Sequence, residues 1–268
     1  MPSAHIAPST RIALVSDIHG NLPALEAVHA DLRRRGADLV VNLGDSLSGP
    51  LLARETAQFL QAQGWPTVAG NHDRNLIEQS PAQLAPPDAC AHAQLGAPEL
   101  AWLRTLPATL READLFFCHA TPQHNCSYLL ETVLPGGAVR LASPSEISER
   151  LGDERAAFIA CGHTHFPRAV RTAAGQWAGQ WIVNPGSVGL PAFEDDSPCL
   201  HRIETGAPDA RYALAERTAQ GWSVALISVP YDHRSMAQLA RSRGFADWAV
   251  ALETGYMKFP EAHRPPGA

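Results

Sequence analysis

A chain of 268 residues with 45% apolar side chains can bury a sizeable core and is too apolar to stay disordered. A formal charge of −6 and a single lysine, Lys258, exclude a nucleic-acid-coating surface and a P-loop lysine. Cys90, Cys118, Cys126, Cys161 and Cys199 form no CxxC. They predict reduced thiols in a cytosolic, cytoplasmic protein. No apolar run approaches the roughly 18 residues of a membrane span, and the polar residues 1–10 lack a signal-peptide core.

In chain order, residues 1–10 predict a flexible leader, 11–258 a single domain and 259–268 a tail. Ile12 to Val15 reads as a strand, ended by Ser16-Asp17-Ile18-His19-Gly20-Asn21. Asn21 predicts an N-cap, Leu25, Val28 and Leu32 recur at helical spacing, and Gly36 stops that helix. Arg33 to Arg35 fill the last turn, where cations complement the helix dipole. Leu39 to Val41 is a second strand, closed by Asn42-Leu43-Gly44-Asp45. A helix from about Leu51 to Gln63 follows, then strand Thr67 to Ala69, ended by Gly70-Asn71-His72-Asp73. Strand, helix, strand, helix, strand with short links is the pattern of parallel crossover units.

Residues 80–100, rich in Pro and Ala, predict loop and short helix, and Pro98 to Leu106 a brief helix. Leu115 to Cys118 is a buried strand ending in His119. Residues 123–145 predict a loop excursion with a short helix near Tyr128 to Thr132; Ile147 to Leu151 predicts a helix leading to strand Phe158 to Cys161. Beyond it, Ala169–Thr172, Trp177–Val183, Arg202–Glu204, Arg211–Ala215 and Trp222–Val229 alternate as antiparallel strands do. A final helix is expected over Ser235 to Leu252.

The chemistry gathers at strand ends. Cys161-Gly162-His163-Thr164-His165 carries two histidines two apart. On a helix they would diverge by about 200°; in a loop or extended segment they project to one side. They could serve one metal or two neighbouring ones, or bond to backbone as ordinary loop histidines. Asp17 with His19, Asp45, Asn71 with His72, and His119 likewise follow apolar runs. Each has a bland reading: Asp45 a turn residue, Asn71 a helix cap, His119 a core histidine. Yet loops at the carboxyl ends of parallel strands share the sheet edge where α/β proteins place ligands.

DxH at Asp17–His19, GD at Gly44–Asp45, GNHD at Gly70–Asp73, His119 and GHTH at Gly162–His165 together resemble the calcineurin-like metallophosphoesterases. The stretches Asp17 to Val28, His119-Ala-Thr-Pro, Tyr128-Leu-Leu-Glu131 and Asn184-Pro-Gly-Ser187 are similar to the small bacterial phosphodiesterase-like branch. The match spans residues 11 to about 230. It implies an α/β fold, a four-layer αββα sandwich of two mixed β-sheets, with a dinuclear metal site at the strand ends. Carried over, Asp17, His19 and His165 hold one cation, Asn71, His119 and His163 the other, and Asp45 bridges them. Mixed His, Asp and Asn ligands suit two divalent ions, Mn, Fe or Zn. The implied reaction is in-line attack of a metal-activated hydroxide on a small phosphodiester or nucleotide-like phosphoester. His72, beside Asn71, is the implied acid facing the leaving group and touches substrate with Asn71. Arg74 and His124 are further candidate substrate contacts.

One departure narrows the substrate. Phosphoprotein phosphatases of the superfamily carry GDxVDRG, whereas this chain has Gly44-Asp-Ser-Leu-Ser-Gly-Pro50. The Asp that would orient His72 and the Arg that would grip a phosphoprotein are both missing there. Pro185-Gly-Ser-Val-Gly189 lacks the first Gly of GxSxG, so Ser187 is expected in a turn lining the site, not as a nucleophile. A phosphomonoesterase, a dinucleoside polyphosphate hydrolase, and an idle metal-binding scaffold or regulator on the same fold remain alternatives. A nuclease on polymeric nucleic acid is disfavoured by the acidic charge.

Overall fold

A computed structural model of the chain describes residues 10–172 and 179–258. Most of the leader, the tail and Trp177 lie outside them. The first sheet joins β1 (Arg11–Val15), β2 (Leu39–Asn42), β12 (Ala210–Thr218) and β13 (Gly221–Val229) in the order β13-β12-β1-β2. The second joins β3 (Thr109–Glu112), β4 (Leu115–Cys118), β7 (Phe158–Ala160), β8 (Arg168–Arg171) and β9 (Trp181–Asn184) in the order β3-β4-β7-β9-β8. Both are mixed. β1 runs parallel to β2 and antiparallel to β12, and β7 runs parallel to both β4 and β9.

Side-chain alternation divides the molecule into layers. Ile12 and Leu14 of β1 meet Phe117, Phe158 and Ala160 between the two sheets. Their neighbours Ala13 and Val15 face α1 (Leu22–Arg35) and α2 (Ala53–Gln63), through Leu25, Val28, Ala57 and Leu60. On the far side, Phe116, Cys118 and Ile159 pack on Ile147 and Leu151 of α6 (Pro144–Leu151). The order is helix, sheet, sheet, helix. Strands covered on both faces are why the sequence shows unbroken apolar runs there.

Several expectations are corrected. Thr67 to Ala69 is not a full strand but one parallel bridge, Thr67 to Asn42. Within Trp177 to Val183, expected to be antiparallel, the described strand β9 pairs antiparallel with β8 but parallel with β7. The expected helix near Tyr128 is absent. Leu129 and Leu130 enter the core, and β5 (Glu131–Val133) turns through Gly136 and Gly137 to pair with β6 (Val139–Leu141). The final helix is two helices, α7 (His233–Ser242) and α8 (Ala246–Thr254). Gly244, at φ 88°, turns the chain so that Met236 and Ala240 can pack on Ala249 and Leu252. Among the described residues no helix is long and apolar enough to cross a membrane.

The arginine run does more than complement a dipole. Arg34 and Arg35 reach back to buried Asp31 at 2.6 and 2.8 Å, and the buried Tyr212 hydroxyl donates to the same carboxylate at 2.7 Å. Burial raises the Asp31 pKa, but the two arginines and Tyr212 outweigh it and hold it at about 2. Asp31→Ala should therefore cost about 1–3 kcal/mol at pH 7, since the Tyr212 hydroxyl loses its acceptor. A depressed carboxylate stabilises above its unfolded pKa of about 4 and loses that effect as pH falls towards 2. In urea unfolding, the deficit of Asp31→Ala should shrink across that window; a pH-independent deficit would contradict this account.

Candidate metal centre

The carboxyl ends of β1, β2, β4 and β7 lead into the loops that bear Asp17 with His19, Asp45, His119, and His163 with His165. Two compact groups result, Asp17–His19–His165 and Asp45–His119–His163, each with ligand atoms mutually within 4.8 Å. Among the described residues six non-glycine residues have positive φ, and Asp17, His19, Asp45, His163 and His165 are five of them. Such backbone costs of the order of 1–3 kcal/mol per residue and persists where surrounding structure enforces it. His163 and His165 are thus not extended: two left-handed residues flank Thr164 and send one imidazole to each group.

Close backbone packing enforces these loops. The Asp17 N–H donates to the Gly44 carbonyl at 2.9 Å and the His19 N–H to the Asp45 carbonyl at 3.0 Å, which ties the first loop to the second. The Asn184-Pro-Gly-Ser turn ties the first to the fourth. Asn184 Nδ2 donates to the Gly162 carbonyl and to Thr164 Oγ1, at 2.7 and 2.9 Å. Ser187 Oγ donates to the Asp17 carbonyl at 2.7 Å, and the Gly189 N–H meets the same carbonyl at 3.0 Å. Ser187 stands behind the site and does not line it, contrary to expectation. A Cβ on Gly189 would run into the Ile18 carbonyl. Gly189→Ala should lower stability by about 2–4 kcal/mol and weaken metal binding in whatever folds. Thermal melts and metal content check this; wild-type values in both would refute the buttress.

The imidazoles are oriented from outside. His119 Nδ1 donates to the Leu43 carbonyl at 2.8 Å and His165 Nδ1 to the Leu190 carbonyl at 2.7 Å. A carbonyl can only accept, so Nδ1 carries the proton and Nε2 faces the centre. His19 Nδ1 lies 2.7 Å from Ser48 Oγ, and its Nε2 lies 3.1 Å from His165 Nε2. Burial, then the neighbouring His165, lowers the His19 pKa to about 3; burial and His119 lower that of His163 to about 4. Both are held neutral, the form that binds metals. Burial also disfavours the charged form of His119, but Asp45 and Asp17 raise its pKa to about 9. Its Nε2 lies 3.0 Å from Asn71 Oδ1 and 3.2 Å from Asp45 Oδ2, where a cation would replace the proton.

The donor set fits divalent cations on its own evidence. Asp17 Oδ1 is fully buried with no hydrogen bond, although His165 Nε2 approaches to 3.4 Å. Asp17 and Asp45 are both buried carboxylates; burial raises their pKa, and surrounding imidazoles outweigh it and hold both down. Buried charge of this kind calls for positive partners, and mixed N and O donors suit Mn, Fe or Zn.

Asn71 and His72 are not on an extended loop but open α3 (Asn71–Glu78). Successive helical residues diverge by about 100°, so Asn71 meets His119 while His72 points elsewhere. The His72 N–H donates to Asp45 Oδ1 at 2.9 Å, which places that carboxylate at the positive end of the helix. Asp73 of the GNHD run fastens α3 to the second loop by accepting from the Ser46 and Gly70 N–H groups, at 3.0 and 3.1 Å. The His72 ring is partly exposed and donates through Nδ1 to Asp88, at 2.9 and 3.0 Å. Burial lowers its pKa, but Asp45 and Asp88 raise it to about 9. Asp88, buried in the first turn of α4 (Pro86–His92), is the group sequence reasoning missed. Its signal was weak: one acid in a Pro- and Ala-rich stretch. Arg74 pairs with Glu78, and exposed His124 closes a turn with Thr121; neither lines a cavity at the centre.

The centre opens into a cavity of about 750 Å³, bordered by His19, Asn71, His72, His163 and His165. Residues 10–206 match the family model of the calcineurin-like phosphoesterase superfamily domain. An uncharacterized protein of Methanocaldococcus jannaschii is 23% identical over 264 residues, 88% of this chain and 94% of that one. The crystal structure of a metallophosphoesterase from Sphaerobacter thermophilus superposes with a TM-score of 0.72 at 25% identity, covering 92% of this chain and 100% of that one. With the fold, the four strand-end loops, the start of α3 and the family match in agreement, the chain belongs to the calcineurin-like phosphoesterase superfamily.

Proposed function

We propose that the protein is a metal-dependent phosphoesterase acting on small phosphodiesters or nucleotide-like phosphoesters. The observation that carries this reading is the concentration of left-handed backbone at five His and Asp residues whose side chains converge. Strain of that kind is retained where a site needs it. Asp17, His19 and His165 would hold one divalent cation, Asn71, His119 and His163 a second, with Asp45 shared. Two such ions, when bound, lower the pKa of an attacking water and offset charge on the phosphoryl oxygens. The chain's own residues do the rest. His72 carries the proton for the leaving oxygen, and Asp88 accepts from Nδ1 so that Nε2 is the face left for substrate.

A small substrate is favoured because the cavity of about 750 Å³ suits a ligand of drug or nucleotide size. Neither nearby arginine is free to grip a phosphoprotein: Arg74 is paired with Glu78, and Arg202, which lines the cavity, with Glu194. With Mn²⁺ added, the purified protein should hydrolyse bis(p-nitrophenyl) phosphate, lose that activity to a chelator and regain it with metal. It should show a far lower kcat/KM on a phosphopeptide. Metal binding without turnover of any ester would identify an idle scaffold instead.

A further inference from the structure

The cleft at the centre has two lobes, and they are unlike. The larger, about 750 Å³, has Leu190, Phe193, Trp248 and Met257 in its wall, together with the charged Glu194, Arg202, Asp247 and Lys258. The smaller, about 440 Å³, is lined by Ser127, Tyr128, Val133, Ser197 and Pro198, with Glu131 and Arg150. Asn71, His163 and Asp195 border both, so the lobes meet over the metal centre. His72 and Asp88 border only the larger one. Trp248 stands edge-on to the His19 ring at 5.8 Å and Phe193 to the His165 ring at 4.6 Å, so the aromatic wall reaches the centre itself. Trp248, Ala251 and Met257 come from α8 and the residues after it, beyond the segment 10–206 shared with the family.

Resting on the phosphoesterase reading above, we propose that the substrate is an asymmetric phosphodiester straddling the two lobes, and that the bond broken is the one to its larger, nucleoside-like alcohol. A monoester would leave one lobe empty, whereas a diester has an organic arm for each. The acid decides which arm departs. Water's oxygen bonds to phosphorus, the bond from phosphorus to the leaving oxygen breaks with its electron pair, and that oxygen takes the His72 proton. The proton given up by the water returns through solvent to His72, so one diester and one water yield one alcohol and one monoester. Because His72 is reached only from the larger lobe, the departing alcohol lies against Trp248 and Phe193. The retained arm, in the smaller lobe beside Ser127 and Ser197, is the smaller of the two.

Thymidine 5′-(methyl phosphate) tests this, because its two alkoxides leave with similar difficulty and chemistry alone expresses little choice. With Mn²⁺-loaded protein, phosphorus NMR should show methyl phosphate with thymidine, in excess over thymidine monophosphate with methanol by about tenfold or more. Ala85→Trp, at an exposed position bordering only the larger lobe, should raise KM for this diester by about tenfold. Equal or reversed products, an unaffected KM, or no turnover of this diester while bis(p-nitrophenyl) phosphate is hydrolysed would each overturn the assignment of the lobes. If neither ester is hydrolysed, the phosphoesterase reading itself fails, and this inference with it.

Discussion

Alanine at His72 should slow hydrolysis of a nucleoside or alkyl ester by about 10²–10⁴-fold, yet slow that of a nitrophenyl ester only a few-fold, with metal content unchanged. The asymmetry follows from the leaving oxygen. An alkoxide departs with nearly a full charge and needs a proton during bond breaking; nitrophenolate is stable without one. His72 is suited to that task by place and by partner. Its ring reaches the cavity, Asp45 and Asp88 favour its protonated form, and Asp88 fixes which nitrogen faces outward. Asp88→Asn should lower the alkyl-ester rate in the same selective manner but by less, because the ring remains and only its orientation and charge balance change. Equal losses on both ester types, or loss of a metal from His72→Ala, would remove His72 from the acid role.

Asp45→Asn should be the most damaging change among the ligand candidates, weakening metal binding by roughly 10²–10⁴-fold, as expected when one charge of a buried cluster is removed. The asparagine still offers an oxygen to the His72 N–H, so α3 keeps its place and the loss reports on charge alone. Asp45 is the carboxylate that Oδ2 brings to His119 while its field reaches His19 and His72, residues on both sides of the centre. His19→Ala and Asn71→Ala each remove one ligand of one proposed ion and should cost less. Two metals per chain in purified Asp45→Asn would show that the shared-ligand assignment is wrong.

What the sequence discloses and what it hides have a common cause. Asp17, His19, Asp45, Asn71, His119, His163 and His165 are legible because each follows an apolar run closely, and that pattern is local. The layered core is legible for the same reason, since Ile12 to Val15 or Phe158 to Cys161 must be covered on both faces. Asp88 is hidden because only the packing of α4 beneath His72 joins residues sixteen apart in sequence. Ser48 is hidden likewise: nothing in Ser46 to Pro50 announces a hydroxyl that holds His19. The α7–α8 pair was read as one helix because Gly244 is tolerated in a helical pattern until tertiary packing demands a turn. Trp248, an ordinary amphipathic-helix residue by spacing, becomes a wall of the cleft only through that turn.

The central claim is that two cations share this centre. Anomalous diffraction from crystals grown with Mn²⁺ tests it most directly. The account predicts two peaks roughly 3.5–4 Å apart, one against Asp17, His19 and His165, the other against Asn71, His119 and His163, with Asp45 touching both. A single peak, or two peaks of which neither approaches Asp45, would contradict it.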